Sequence, residues 1–468
     1  MIRFPHTAPL KRSHWQQSLG PVTPFPALAG VEEADVAILG GGFVGLWTAL
    51  TLKQHDPGCR VVILEQDVCG GGASGRNGGF VMSWWPKIGT LASQCGADQA
   101  LFLGHSAERA ITELGEFCQQ HGIDAHFVQK GWLWTATTPA HVDAWNGTLA
   151  ACARLGVQPF ERLSPAEVAR RTGSAVHLAG VFEASNATVQ PAALAQGLRR
   201  VAAEAGVRIY EGSAVTGIEP GSPARVHTAG GQVRAGAVVL ATNAWSAAIP
   251  ELARLITPVN SSIVITRPVK QALEEGGWTG GESITDSQLM VDYYRTTRDG
   301  RIAFGKGTGA IAYGGRIDGT FSDHAASLAM TRADLARTYP ALPPDAVEGG
   351  WSGPIDRAYD SLPVFGSLTG QGNIHYGIGW SGNGVGPSRL GGRILASLAL
   401  GHRDEWSGCA LVGRACRAFP PEPLRFVGGS LVRQAVIRKE RAEMQGRPPA
   451  ALDRLLAGLA PSGLEDKS

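Results

Sequence analysis

The chain has 468 residues, 44% of them hydrophobic and 18% charged, a composition that excludes a disordered protein and is long enough for two or three domains. With 42 basic and 40 acidic residues the net charge is +2, and no strongly basic block stands out, which argues against a nucleic-acid partner. Seven cysteines without a C-x-x-C pair give neither a disulfide framework nor a zinc site, and the 63 glycines are about twice the usual share. No segment approaches about 18 uninterrupted apolar residues. The first residues lack the apolar core of a signal peptide, so the expectation is a cytoplasmic protein with no membrane span.

Residues 1–33 contain five prolines and little periodicity, and read as an extended N-terminal arm. Ala34 to Glu65 then reads as strand, turn, helix and strand. Val36 to Leu39 is a short apolar run of the kind found in buried parallel strands. Gly40, Gly42 and Gly45 form G-x-G-x-x-G: the first permits a tight turn, the second lets backbone approach a pyrophosphate, and the third lets helix pack on strand. Glu65, 20 residues after Gly45, closes the second strand where a carboxylate accepts from a ribose hydroxyl. The competing reading is a glycine-rich turn that holds nothing; the two strands, the helix and the acid in register weigh against it.

A polar loop follows, Gly70 to Gly79. Its successive backbone N–H groups can form an anion-binding nest, to which Ser74 and Arg76 add donors. Helices are expected over 99–121, 139–155 and 191–205, with Ser164 and Glu167 marking the start of a short one. Strands are expected over 127–137, 207–210 and 233–240, the last leading into the turn 241–245, and over 261–266 and 301–305 in a more antiparallel sheet. Residues 373–378 read as a strand and 379–386 as a glycine loop. A helix follows over 387–400, with Pro387 at its first turn, where a missing N–H costs nothing. Helices over 431–445 and 452–459 end the chain. Cofactor-type pieces thus lie in all three thirds, with strand-rich material between them. The expected organisation is an arm (1–33), a discontinuous cofactor domain (34–120, 186–258 and 346–402), a substrate domain (121–185 and 259–345) and a C-terminal helical extension (403–468).

With these pieces placed, residues 30–402 resemble the FAD-dependent D-amino acid oxidase superfamily. The dinucleotide unit, Thr188-Val189-Gln190-Pro191, the turn ending at Trp245, the D-x-x-P of Asp360 to Pro363 and the run Gly379 to Val385 carry the resemblance. The loop 73–79 and the tail residues 419–425 and 446–448 look most like the γ-glutamylputrescine oxidase branch. The resemblance implies an α/β fold: a Rossmann-type FAD-binding domain with an inserted antiparallel-sheet α+β substrate domain, like glycine and sarcosine oxidases. It implies FAD held by Gly40, Gly42, Gly45, Glu65, Ser74, Arg76, Asn77, Gly78, Gly79, Val215, Trp245, Gly382, Asn383, Gly384 and Val385. A helix N-terminus aimed at the flavin would favour its reduced, negatively charged state. It further implies oxidation of a small-molecule amine by hydride transfer to flavin N5, the imine hydrolysing to carbonyl plus amine or ammonia, with O2 or another acceptor taking the electrons.

Substrate-pocket candidates are Tyr293, Tyr294, Arg295, Trp351, Arg357, Tyr359 and Trp380, each with a plain reading as packing. Three departures from the family pattern narrow the substrate. In the W-x-G-x-R stretch, where glycine oxidase has a carboxylate-binding arginine, this chain has Ile355; near the second glycine loop, where sarcosine oxidase has a lysine, it has Gly386 or a neighbour. A buried carboxylate without such partners is costly, which disfavours simple α-amino acids. Residues 347–372 contain no cysteine, so FAD is expected to be non-covalent. Ala303 aligns with the oxygen-activating lysine of sarcosine oxidase, leaving room for a dehydrogenase. The alternatives are an amino-acid or aminophosphonate oxidase using Arg357 or Arg295, and a FAD-binding subunit without turnover.

Overall fold

The computed structural model describes residues 1–5, 7–463, 465 and 466; the remaining positions of the expected arm and extension lie outside the described residues. Two sheets carry the fold. In the first, strand Gly30–Leu39 pairs in parallel with Val61–Leu64 on one side and with Gly231–Leu240 on the other, and Arg208–Tyr210 extends the parallel set. Strand Gly231–Leu240 splits its outer edge. Its first half takes an antiparallel hairpin partner (Ala224–Thr228), and its second half pairs in parallel with Ile374–Ile378. Alternation explains why these strands are apolar throughout: Val36 and Ile38 pack under helices Phe43–His55 and Ser388–Leu400, while Ala37 and Leu39 face the opposite layer with Val62, Leu64 and Val238.

The second sheet has the strand order Val347–Arg357, Thr257–Thr266, Ile302–Lys306, Asp292–Thr296, Ser283–Thr285, Trp132–Ala136, Ala179–Glu183 and Phe160–Leu163, largely antiparallel as expected. Helix Ala325–Thr338 covers one face through Leu335, Val264 and Phe304. The other face turns toward the first sheet. The expected boundary at 346 is displaced, because strand Val347–Arg357 pairs along ten residues of Thr257–Thr266 and so belongs to the second sheet.

Three elements differ from the sequence reading. The arm is not simply extended: Ile2–Arg3 adds a strand to the first sheet, and His14–Gln17 is a helical turn with the reciprocal Ser13/Gln16 capping box. The helix expected from 99 begins at Ile88, its axis broken at Gly96 (φ 79°). The first C-terminal helix begins at Leu424, seven residues early, behind Pro423, and the second spans Ala451–Ala457. No helix among the described residues is long and apolar enough to cross a membrane, and no cluster there could hold a metal ion.

Candidate functional site

A cavity of about 820 Å³ runs from the C-terminal ends of the parallel strands to the inner face of the second sheet. Its first end is the turn Gly40–Gly45. Gly40 has φ 106°, and a Cβ there would sit 2.6 Å from the Ala241 carbonyl oxygen; one on Gly45 would sit 2.0 Å from the Gly40 oxygen. Both positions therefore require glycine, one for the turn and one for helix-on-strand packing. Gly42 lines the cavity and is cramped by Ser74 Oγ (2.9 Å from a built Cβ), which accepts a hydrogen bond from Phe43 N at 2.9 Å. The helix thus has its N-terminal N–H satisfied by a residue from the following loop. Glu65 lines the same end, accepting from Gly41 N (2.8 Å) and Asp67 N (2.9 Å); burial pushes its carboxyl up to about 7. Val215 and Trp245 complete that wall, Trp245 donating from Nε1 to Thr7 Oγ1 at 2.9 Å.

The loop 73–79 crosses the middle of the cavity with Ser74, Arg76, Asn77 and Gly78 on the wall. Side chains from three distant segments fix its carbonyls. Ser13 Oγ donates to Gly75 O (2.6 Å), Trp15 Nε1 to Asn77 O (2.9 Å), Trp351 Nε1 to Arg76 O (2.7 Å) and Arg295 Nε to Gly78 O (2.6 Å). This corrects two sequence expectations. Arg295 and Trp351 do not line the cavity; they brace the loop from behind, with Trp351 edge-on to Trp15 at 5.6 Å and Arg295 also bonding Val189 O at 2.6 Å. The physical reason for Arg295 is that a fully buried guanidinium needs several acceptors, and backbone carbonyls of a tight loop supply them. Tyr294 is on the opposite face of its strand, stacked on Phe304. Gly79 and Asn383 also lie off the wall, and Gly45 lies beneath it.

The far end is made by Gly382, Gly384 and Val385 with Trp380, and by alternate residues of the second sheet: Ser261 and Val259, Gly353, Ile355 and Arg357, and Tyr293. Tyr359 reaches the wall from the turn after them. Arg357 is spoken for: it donates to Ser381 O at 3.2 Å and to Ser462 O, and burial lowers it to about 10. Sequence reading missed Asp356. This wholly buried carboxylate accepts from Gly379 N at 2.7 Å and is raised to about 7 by burial, so it fixes the glycine loop from below. The arm's role was also missed, although S-x-x-Q at Ser13–Gln16 is a readable capping signal.

The residues fit a flavin dinucleotide. Arg76 is 2% exposed, donates from Nε to Ser352 O at 3.0 Å, and has both terminal nitrogens buried with no protein partner. Burial lowers it to about 10. A cation so placed calls for an anionic or carbonyl-rich group in the cavity beside it. Gly42 lines the cavity at the start of helix Phe43–His55 without a side chain, so backbone there can be approached closely by a phosphate.

Comparison with known proteins agrees. The family model DAO, FAD dependent oxidoreductase, matches residues 35–398. The chain is 30% identical over 404 residues to the probable oxidoreductase OrdL of Haemophilus influenzae, covering 85% of this chain and 90% of that one. It is 31% identical over 401 residues to the gamma-glutamylputrescine oxidoreductase of Escherichia coli, covering 85% and 91%. The solved glycine oxidase of Geobacillus kaustophilus superposes with a TM-score of 0.67 at 23% identity, over 80% of this chain and 96% of that one. On both the matched length and the architecture, this chain belongs to the DAO family of FAD dependent oxidoreductases.

Proposed function

We propose that the protein oxidises a primary or secondary amine, in the manner of the γ-glutamylputrescine branch, with non-covalent FAD. The observation that carries this is Ile355. It lines the cavity on strand Val347–Arg357, paired with Val259, where glycine oxidase places its carboxylate-binding arginine. An α-carboxylate at that wall would face two aliphatic side chains, so an amine without one is the better ligand. Gly40, Gly42, Glu65 and Val215 would hold the adenosine half of FAD, the loop from Ser74 to Gly78 its middle, and Gly382 to Val385 its ring. When bound, FAD accepts two electrons from the substrate's amine-bearing carbon.

The chain's own residues orient and protect the amine. Ser261 Oγ donates to Lys306 O at 3.0 Å and lies 2.8 Å from Tyr293 Oη. With the serine proton committed to that carbonyl, the phenol donates to Ser261, and its oxygen is left to accept from an amine N–H. Burial pushes Tyr293 up to about 12, so it stays protonated at neutral pH. The aliphatic walls exclude water during oxidation, and the imine then hydrolyses to a carbonyl and a free amine. No cysteine, histidine or lysine lines the cavity among the described residues. The first two absences support the reading of FAD as non-covalent. Lys306, the nearest lysine to the expected oxygen-activating position, is committed instead to Asp292 (3.0 Å) and Asp334 (2.8 Å). We therefore favour an electron acceptor other than O2.

The test is anaerobic mixing of the yellow protein with candidate amines while the flavin absorbance is followed. Bleaching by γ-glutamylputrescine or N-acetylputrescine is expected. Bleaching by glycine or sarcosine but by neither of those amines would overturn the reading.

A further inference from the structure

The far end of the cavity is lined in part by residues that the family match does not reach. Helices Leu424–Met444 and Ala451–Ala457 pack on each other over the gap between the glycine loop and the second sheet. Glu440 fixes the first of them, accepting hydrogen bonds from Leu289 N (2.6 Å) and Met290 N (2.9 Å). Arg433, two turns earlier on the same helix, lines the cavity. It donates from Nε to Thr308 O at 2.7 Å, its one hydrogen bond to protein among the described residues, and it makes no ion pair there. Burial lowers its pKa with no acid to offset it. Arg417, like Arg76 and Arg357, is a further cavity-lining guanidinium without an ion pair among the described residues, and it is held 3.9 Å above the Tyr359 ring. The carboxylates on the cavity wall (Glu65, Asp67 and Asp356) belong to the first turn and to the glycine loop. Val259, Val291 and Leu431 add aliphatic side chains to the same lining.

We propose that Arg433, carried by the C-terminal helical pair, is an anion anchor for a carboxylate at the distal end of an amine substrate, the two groups being joined by an uncharged spacer. The inference rests on the amine-oxidising reading and adds to it a specificity element outside the family core. A guanidinium fixed through Nε presents its two terminal nitrogens as a fork suited to bidentate carboxylate recognition. The helix is rigidly mounted, so little ordering is required when the ligand arrives. The same amine that Ile355 rejects as an α-amino acid is thereby accepted when its carboxylate is remote.

The experiment compares γ-glutamylputrescine with N-butyrylputrescine, which keeps the terminal amine, the amide and the carbon chain but lacks the α-carboxylate and α-ammonium, in the holoenzyme and its Arg433→Gln and Arg433→Lys variants. Wild-type protein is expected to prefer γ-glutamylputrescine by roughly 10- to 100-fold in kcat/KM, the range of a charge-assisted contact. Arg433→Gln should collapse that ratio toward one through KM rather than kcat, and Arg433→Lys should restore part of it. A second readout needs no turnover: calorimetric binding of γ-glutamyl-n-butylamide, which has the carboxylate but no oxidisable terminal amine, should weaken by at least tenfold in Arg433→Gln. Equal kcat/KM for the two amines in the wild type, or an equal fall for both in Arg433→Gln, would overturn the anchor while leaving amine oxidation standing. Failure of both amines to reduce the flavin would instead overturn the underlying reading.

Discussion

Replacing Arg76 with methionine separates a structural from a cofactor-binding role, because the two predict opposite signs. The guanidinium is 2% exposed, with two nitrogens lacking protein partners, and burial lowers its pKa to about 10. A displacement of that size corresponds to roughly 3 kcal/mol of unfavourable burial of the charged form. The single bond to Ser352 O returns about 1–2 kcal/mol of this. Arg76→Met keeps the aliphatic stem that packs 3.6 Å from a Cβ built on Gly353, and leaves the Arg76 carbonyl held by Trp351. The apoprotein should therefore gain about 1–2 kcal/mol in urea unfolding. On the cofactor-binding role proposed for Arg76, the same change should raise the Kd for FAD roughly 10- to 100-fold, measured by quenching of flavin fluorescence. An apoprotein less stable than wild type, together with an unchanged Kd for FAD, would refute the argument.

Gly45→Ala places a methyl group 2.0 Å from the Gly40 oxygen, so it should cost at least about 2 kcal/mol and yield protein purified without yellow colour; a stable, fully flavinated variant would contradict this. Lys306→Met leaves Asp292 and Asp334 buried without their shared ammonium, and should destabilise by about 3–5 kcal/mol while the reoxidation rate of the reduced protein stays the same; stopped-flow mixing with oxygen checks the second half. Glu183 lies away from the cavity and is raised to about 7 by burial, its Oε1 accepting from Ser185 Oγ at 2.7 Å. Because its folded pKa lies above the unfolded value of 4.5, its contribution is fully present below pH 4.5 and is lost as pH rises through about 7. Glu183→Gln should remove up to about 3 kcal/mol from the difference in apoprotein stability between pH 5 and pH 8, and an unaltered pH profile would count against the burial argument.

The dinucleotide end was legible because its constraints are local. Gly40, Gly42, Gly45 and Glu65 lie within one strand–turn–helix–strand unit, and each residue type follows from a steric or hydrogen-bonding demand of that unit. The second sheet was legible as strands but not as faces. Arg295 and Tyr294 are adjacent, so one was bound to point away from the other, and neither turned out to face substrate. Arg295 could not be read as a brace because its acceptors, Gly78 O and Val189 O, lie more than a hundred residues away in sequence. Asp356 was hidden by its neighbour: attention fell on the absence of an arginine at 355, while the carboxylate one position on holds the glycine loop. The C-terminal helices looked like an appendage because the N-cap residue ahead of Leu424, Pro423, offers no capping side chain, and the N–H of Phe426 is taken instead by Glu422, a signal that periodicity does not report.

The far wall of the cavity also fixes an order of events in biosynthesis. Ser462 donates from its N–H to Tyr359 O at 2.9 Å, and Asp466 accepts from Thr90 N at 2.8 Å and Lys87 Nζ at 3.0 Å. These contacts, with the helices before them, emerge from the ribosome after everything they cover. Until then the two sheets can form around an open cleft, which a bulky dinucleotide can enter from the side. Once these contacts are made they narrow the distal mouth of that cleft, so loosening them is expected to speed the exchange of a bound dinucleotide.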